Sequence, residues 1–245
     1  MRPILLEWRG VRITGYSAML YLGIVSGIFA GHAAAHAAGL DAFRVYVATL
    51  VLIAAALLGA RLTYAAAHWQ LYRANLWRIW TPNQSGAVQY GGFITALLLS
   101  VPLLAALRLP FGAYWDTAVF TFLVAAIAGR VGCLMHGCCA GRPSESWLSM
   151  YLPNRFGVWS RRIPTQSLEA GWSAVLLLAA IALRARLPVS GSLFWAVLAG
   201  HACGRLVLES TREERGHVGR VAARQVTSIV LVLLSLAALT AVWHT

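Results

Sequence analysis

The chain of 245 residues is 59 % hydrophobic with a mean hydropathy of +0.68, and only 11 % of it is charged, against roughly 25 % in a soluble globular domain. No soluble fold of this length hides so much apolar surface, and the alternation a membrane barrel needs is absent, which leaves an all-α integral membrane helical bundle. The formal charge of +12 comes from 20 arginines, with no lysine, against 8 acids; the arginines flank apolar helices, so they point to anionic lipid and away from nucleic acid.

Apolar runs between charged or Pro/Gly breaks predict spans near 15–38, 45–67, 87–107, 115–131, 167–183, 190–209 and 226–243. About seven helices are therefore expected, in a single transmembrane domain over 1–245, with no cleaved leader. A monomer is expected. The long connections are 68–86, rich in Trp and Arg, and 132–166, which holds three cysteines, Pro143, Pro153 and Pro164. The second is the longer, and functional groups are expected there. All arginines except Arg44, Arg108, Arg184 and Arg186 fall on the side of the N-terminus, which a positive-inside reading places in the cytoplasm.

The first span carries Gly23, Gly27 and Gly31 at four-residue intervals, a stripe that lets another helix approach closely in lipid. Tyr16 stands at its start, and His32 and His36, one turn apart among alanines, are read as structural. Arg61 and Tyr64 lie on the second span, and Gln89 and Tyr90 enter the third.

The fourth span ends in GRVGCLMHGCCAGR, residues 129–142. Gly129, Gly132, Gly137 and Gly141 are expected to allow tight turns near a ligand or another helix. The Arg130 guanidinium matches a phosphate bidentately and stays charged when partly desolvated. Cys133, His136, Cys138 and Cys139 bring three thiols and an imidazole within seven residues. Their spacing is not a standard zinc pattern, so no metal or cofactor is expected, and small buried packing residues or a redox thiol both fit.

Gln166 and Glu169 enter the fifth span. The sixth reads GHACGRLVLESTRE and places His201, Arg205, Glu209 and Arg212 on one stripe of an apolar helix. Ionisable groups at membrane depth are costly and normally face the protein interior or a watery cavity. A structural Arg–Glu pair near a helix end would leave the same pattern.

These residues resemble the prolipoprotein diacylglyceryl transferases of bacterial inner membranes. GRVGCLMHGCCAGR is similar to the family signature Gly-Arg-x-Gly-Asn, three further residues including Asn and Gly, then Glu and a final Gly. Collinear weaker matches are GYSAMLYLGI at 15–24, ARLTY at 60–64, GAVQYGG at 86–92, IPTQSLEA at 163–170 and GRLVLEST at 204–211. The resemblance implies transfer of a diacylglyceryl group from phosphatidylglycerol to a lipobox cysteine of a prolipoprotein, with release of glycerol phosphate. It implies that Arg130 and Arg205 hold the phosphate and Glu209 orients Arg205. Tyr16, Arg61, Gly129, Gly132, Cys133, Gly137, Cys138, Gly141, Gln166 and Arg212 would line the lipid site. It also implies an N-terminus outside the cell, opposite to the arginine count.

The chain departs from the family pattern at catalytic positions. Tyr90 stands at the functional histidine, Cys133 and His136 at the two Asn, and Cys138 at the Glu; His201 stands where the family has a tyrosine. Tyr and His are thus exchanged, and His201 or His136 is the expected base. Two alternatives stay open: a related transferase with another acceptor, and a thiol- or metal-handling membrane protein built on the cysteine cluster.

Overall fold

The computed structural model describes residues 4–8, 11–80, 88–154, 156–187, 189–213 and 218–244. Residues 81–86 of the connection expected at 68–86, residue 87 at the start of the third expected span and the side chain of Gln89 lie outside the described residues. In chain order the elements are β1 (Ile4–Trp8), β2 (Val11–Thr14), α1 (Gly15–Ala37), α2 (Ala42–Ala67), α3 (Trp69–Tyr72), a 3-10 turn (Leu76–Trp80), α4 (Gln89–Ala106), α5 (Phe111–His136), β3 (Met150–Pro153), β4 (Trp159–Arg162), α6 (Thr165–Leu183), α7 (Ser192–Glu209) and α8 (Val218–His244).

Each expected span coincides with one of the helices α1, α2, α4, α5, α6, α7 and α8. Five of them, α1, α2, α5, α6 and α8, are long and apolar enough to cross a membrane. Along Tyr90–Ala106, α4 is a shorter apolar helix. The polar stripe of α7 interrupts its apolar character. Large apolar side chains such as Phe29, Leu98, Leu178 and Leu233 lie exposed on these helices, and acyl chains are the solvent that covers such faces. The protein is a multi-pass helical membrane protein.

Two antiparallel ribbons accompany the helices, β1–β2 ahead of α1 and β3–β4 between α5 and α6; strands of four or five residues are too short to register as apolar runs. The fourth span also continues beyond the expected end at 131, to His136. Gly129 and Gly132 are therefore helical residues, which corrects the expectation of turns there. Apolar Val131, Leu134 and Met135 carry the helix on, and Gly132 serves close packing: a Cβ on it would stand 3.0 Å from Cβ of Met19 on α1.

The chain divides into two compact units, Met1–Ala34 with Trp115–Thr245, and Ala35–Tyr114. In the first, the Gly23, Gly27 and Gly31 stripe of α1 lies directly on α5, where an added Cβ would meet Ala128, the Thr121 backbone and the Thr121 hydroxyl respectively. The stripe allows the close backbone approach that packing in lipid requires. Gly204 of α7 likewise admits the Trp172 ring of α6, whose Nε1 donates to the Gly200 carbonyl at 3.0 Å. In the second unit, Gly59, Gly91 and Gly92 pack α2 on α4 through Thr95, Thr63 and Ala56.

Helix α7 is capped from outside itself. Asp116 on α5 accepts hydrogen bonds from the Gly191 N–H at 2.7 Å and the Phe194 N–H at 2.8 Å, satisfying donors that the first turn leaves bare. Gly191 supplies the left-handed φ of 94° that starts the turn. Replacing Asp116 with Ala should destabilise the protein by about 1–2 kcal/mol, read as a lower thermal unfolding midpoint in detergent. An unchanged midpoint would show that the start of α7 is held by other contacts.

Candidate active site

Glu169, one turn into α6, is the centre of an ion cluster inside the first unit. Its Oε1 accepts from Arg212 Nη2 at 2.7 Å and Arg205 Nη1 at 3.4 Å, and Oε2 lies 3.0 Å from Arg130 Nη1. Glu209 closes the network, with Oε2 at 3.5 Å from Arg205 Nη2 and 3.6 Å from Arg212 Nε. The side chains are shielded from bulk solvent, at 15 % exposed for Arg130, 11 % for Arg205, 10 % for Arg212, 5 % for Glu169 and 7 % for Glu209. The i, i+4 and i, i+3 spacing on α7 directs Arg205, Glu209 and Arg212 to one side, as the sequence stripe predicts. Three guanidiniums and two carboxylates, +3 and −2, leave one net positive charge.

Burial works against the charge on Arg212, yet Glu169 foremost, with Glu209, holds its pKa above the ordinary arginine value. Arg212 is therefore a fixed cation. Its buried Nε has no hydrogen-bond partner among the described residues, so donor capacity remains inside the cluster.

The signature bend is built beside these charges. Gly137 and Cys139 take left-handed φ values of 77° and 57°, turning the chain back at the end of α5; at Cys139, with its Cβ, that conformation is uncommon. Gln166 Nε2 donates to the Cys138 carbonyl at 2.9 Å. The Glu213 N–H donates to Ala140 O at 2.9 Å, Arg142 N–H to Thr211 O at 2.8 Å, and Ile163 N–H to Arg142 O at 3.2 Å. Gly141 is pressed against this seam, where a Cβ would run into the carbonyl of Ile163 and stand 2.6 Å from the Thr165 hydroxyl.

The structure thus brings together Arg130, Arg205, Arg212 and Glu209, with Gly137, Cys138 and Gly141 in the adjoining bend and Gln166 bonded to it from α6. Cys133 is buried under that bend, and Tyr16 at the start of α1 faces His136, ring centroids 6.4 Å apart. His201 is packed edge-on against Phe122 at 5.0 Å, with a buried Nδ1 that has no partner. Arg61 and Tyr90 belong to the second unit. There Arg61 Nε donates to the Ile79 carbonyl at 2.7 Å and its guanidinium lies over the rings of Tyr64 and Tyr72 at 5.9 and 5.8 Å.

Two residues central to this geometry did not stand out in the sequence. Glu169 was one polar residue among several at helix ends, although an acid one turn inside a span, facing an arginine-rich helix, is the signal that marks it. Arg162, on β4, is nearly fully buried; its Nη1 lies 2.6 Å from Glu213 Oε1 and 3.4 Å from the Gly141 carbonyl, tying the ribbon to the bend. Nothing in its local sequence distinguishes it from Arg161.

A family model for prolipoprotein diacylglyceryl transferase matches residues 3–241. The chain is 24 % identical over 243 residues to the phosphatidylglycerol–prolipoprotein diacylglyceryl transferase of Clostridium novyi, covering 96 % of this chain and 94 % of that protein. It is 26 % identical to the enzyme of the same name from Clostridium tetani, over 96 % of both. A third, from Rhodopirellula baltica, is 30 % identical over 142 residues, 56 % of this chain and 29 % of that protein. A match of this extent, on a helical membrane protein with buried arginines beside the signature bend, places the chain in the prolipoprotein diacylglyceryl transferase family.

Proposed function

We propose that this protein transfers the diacylglyceryl group of phosphatidylglycerol to the thiol of a prolipoprotein cysteine, as a multi-pass enzyme of the bacterial inner membrane. The observation that carries the reading is the buried cluster of Arg130, Arg205 and Arg212 around Glu169, with its single net positive charge. The phosphodiester of phosphatidylglycerol carries one negative charge, so binding neutralises the site. In the transfer, the acceptor sulfur forms a bond to the terminal glyceryl carbon of the diacylglyceryl group as that carbon's C–O bond to phosphate breaks. The electron pair leaves with glycerol phosphate, which gains a second negative charge.

Guanidiniums already fixed in place stabilise that growing charge without reorganisation, and they are worth more in a site shielded from water. Glu209 and Glu169 position them. Tyr16, Gly129, Gly132, Cys133, Gly137, Cys138, Gly141 and Gln166 are the residues we assign to lipid binding. The acceptor's thiol proton goes to an imidazole, His201 or His136. His201 packs on Phe122 one turn before Arg205, with a buried ring nitrogen that has no hydrogen-bond partner among the described residues, and His136 lies beside the signature bend.

The test is direct. Purified protein with phosphatidylglycerol and a lipobox peptide should yield a diacylglyceryl thioether by mass spectrometry, and glycerol phosphate in equal amount. Glycerol phosphate without thioether would assign a different acceptor. His201→Ala or His136→Ala should reduce turnover by about 10²–10⁴-fold; if both variants turn over like the wild type, neither is the base.

A further inference from the structure

The transfer reaction uses no group of three thiols, yet folding makes one. Cys133 is near the end of α5, and the two left-handed residues Gly137 and Cys139 reverse the chain so that Cys138 and Cys139 return over it. The three Sγ atoms all lie within 4.8 Å of one another. None of the three is in a disulfide. Three sulfurs held about 2.3 Å from one central ion stand about 4.0 Å apart, so a small inward movement closes them on a metal. Cys138 Sγ already leans to the Cys133 carbonyl at 3.8 Å.

Sequence spacing hides this arrangement, because C-x2-H-x-C-C matches a metal pattern only after the bend is made. His136 is not in the group, which among the described residues contains no imidazole and no carboxylate. A closed structural zinc site takes four protein ligands. An all-sulfur set of three suits instead a soft monovalent d¹⁰ ion, for which thiolates select.

We infer that Cys133, Cys138 and Cys139 form a trigonal thiolate site for a soft monovalent cation, Cu(I), on the signature bend. Binding replaces three S–H bonds with three Cu–S bonds and releases three protons, with no change of oxidation state. The transferase reading also places Cys133 and Cys138 along the lipid site, but the metal assignment does not rest on that reading and stands if it fails.

The experiment titrates the purified full-length protein in detergent with Cu(I), under anaerobic reducing conditions, against a chromophoric cuprous chelator. One equivalent should be withdrawn from the chelator. Cys133→Ala, Cys138→Ala and Cys139→Ala should each weaken retention by at least about 100-fold, whereas Cys203→Ala, at an exposed position of α7, should leave it unchanged. Variants are compared only where they elute as a single species with wild-type helical content. Failure of the wild-type protein to withdraw Cu(I) overturns the inference whatever the variants do. So does equal retention by the triple variant, loss on Cys203→Ala, or tighter retention of Zn²⁺ than of Cu(I).

Discussion

Glu169→Gln should both unfold more easily and lose transfer. The substitution keeps the shape of the side chain and removes one charge, so the buried cluster changes from +1 to +2 with three guanidiniums still gathered at the same point. Removing one partner of a buried ion pair costs about 3–5 kcal/mol, because the charge left behind is uncompensated. For a chain of this size that corresponds to a fall on the order of 10 °C in the unfolding midpoint. Turnover should fall by about 10²–10³-fold, the cost of disturbing donors aimed at a developing anion.

A further readout separates this explanation from simple loss of packing. If the missing negative charge is the cause, a lipid headgroup of net negative charge can supply it. Phosphatidylglycerol should then raise the midpoint of Glu169→Gln more than it raises that of the wild type, by preferential binding to the folded state, while phosphatidylcholine should not. A variant with wild-type midpoint and wild-type turnover would remove Glu169 from the centre of the site.

The contrast between Glu169 and Arg205 shows what the sequence could reveal. Arg205, Glu209 and Arg212 lie on or just beyond one helix, and 100° per residue is enough to place them on a common side. The Gly23, Gly27 and Gly31 stripe is local in the same sense, and α5 lies on it. The partner of the arginine stripe comes from another helix, and helix pairing is a tertiary fact with no period to read. The signature bend was legible as a glycine-rich segment, but its extent was not. Gly129 and Gly132 proved to be helical, and only Gly137 takes the left-handed turn, together with a cysteine whose sequence gives no hint of it. The thiol triad needs that unforeseen dihedral together with the one at Gly137. The short ribbons escaped because their pairing depends on residues more than three positions apart, and Arg162 acquires its role only from the fold of β3 against β4.

Gly141→Ala should be the most damaging single-methyl change in the signature. Its added Cβ would meet the Ile163 carbonyl and the Thr165 hydroxyl, and both are fixed by other bonds. Ile163 N–H donates to Arg142 O, and Thr165 Oγ1 shares a 2.8 Å hydrogen bond with Thr211 Oγ1. Neither is the loose end of a long side chain, so the bend must move. Shifting it breaks the Ala140–Glu213 and Arg142–Thr211 hydrogen bonds that hold residues 211–213, and Arg212 moves with that segment. Overpacking of this kind costs about 1–3 kcal/mol. The catalytic loss should exceed what that instability alone produces, since a displacement near 1 Å of a positioning group costs about 100-fold. Gly171→Ala is the matched control: a Cβ there meets nothing within 4 Å, and on helix α6 alanine should stabilise by about 1 kcal/mol. Measuring unfolding midpoints and thioether formation for both variants separates the two effects. Equal activity in Gly141→Ala and Gly171→Ala would mean that the bend does not position Arg212 for the reaction.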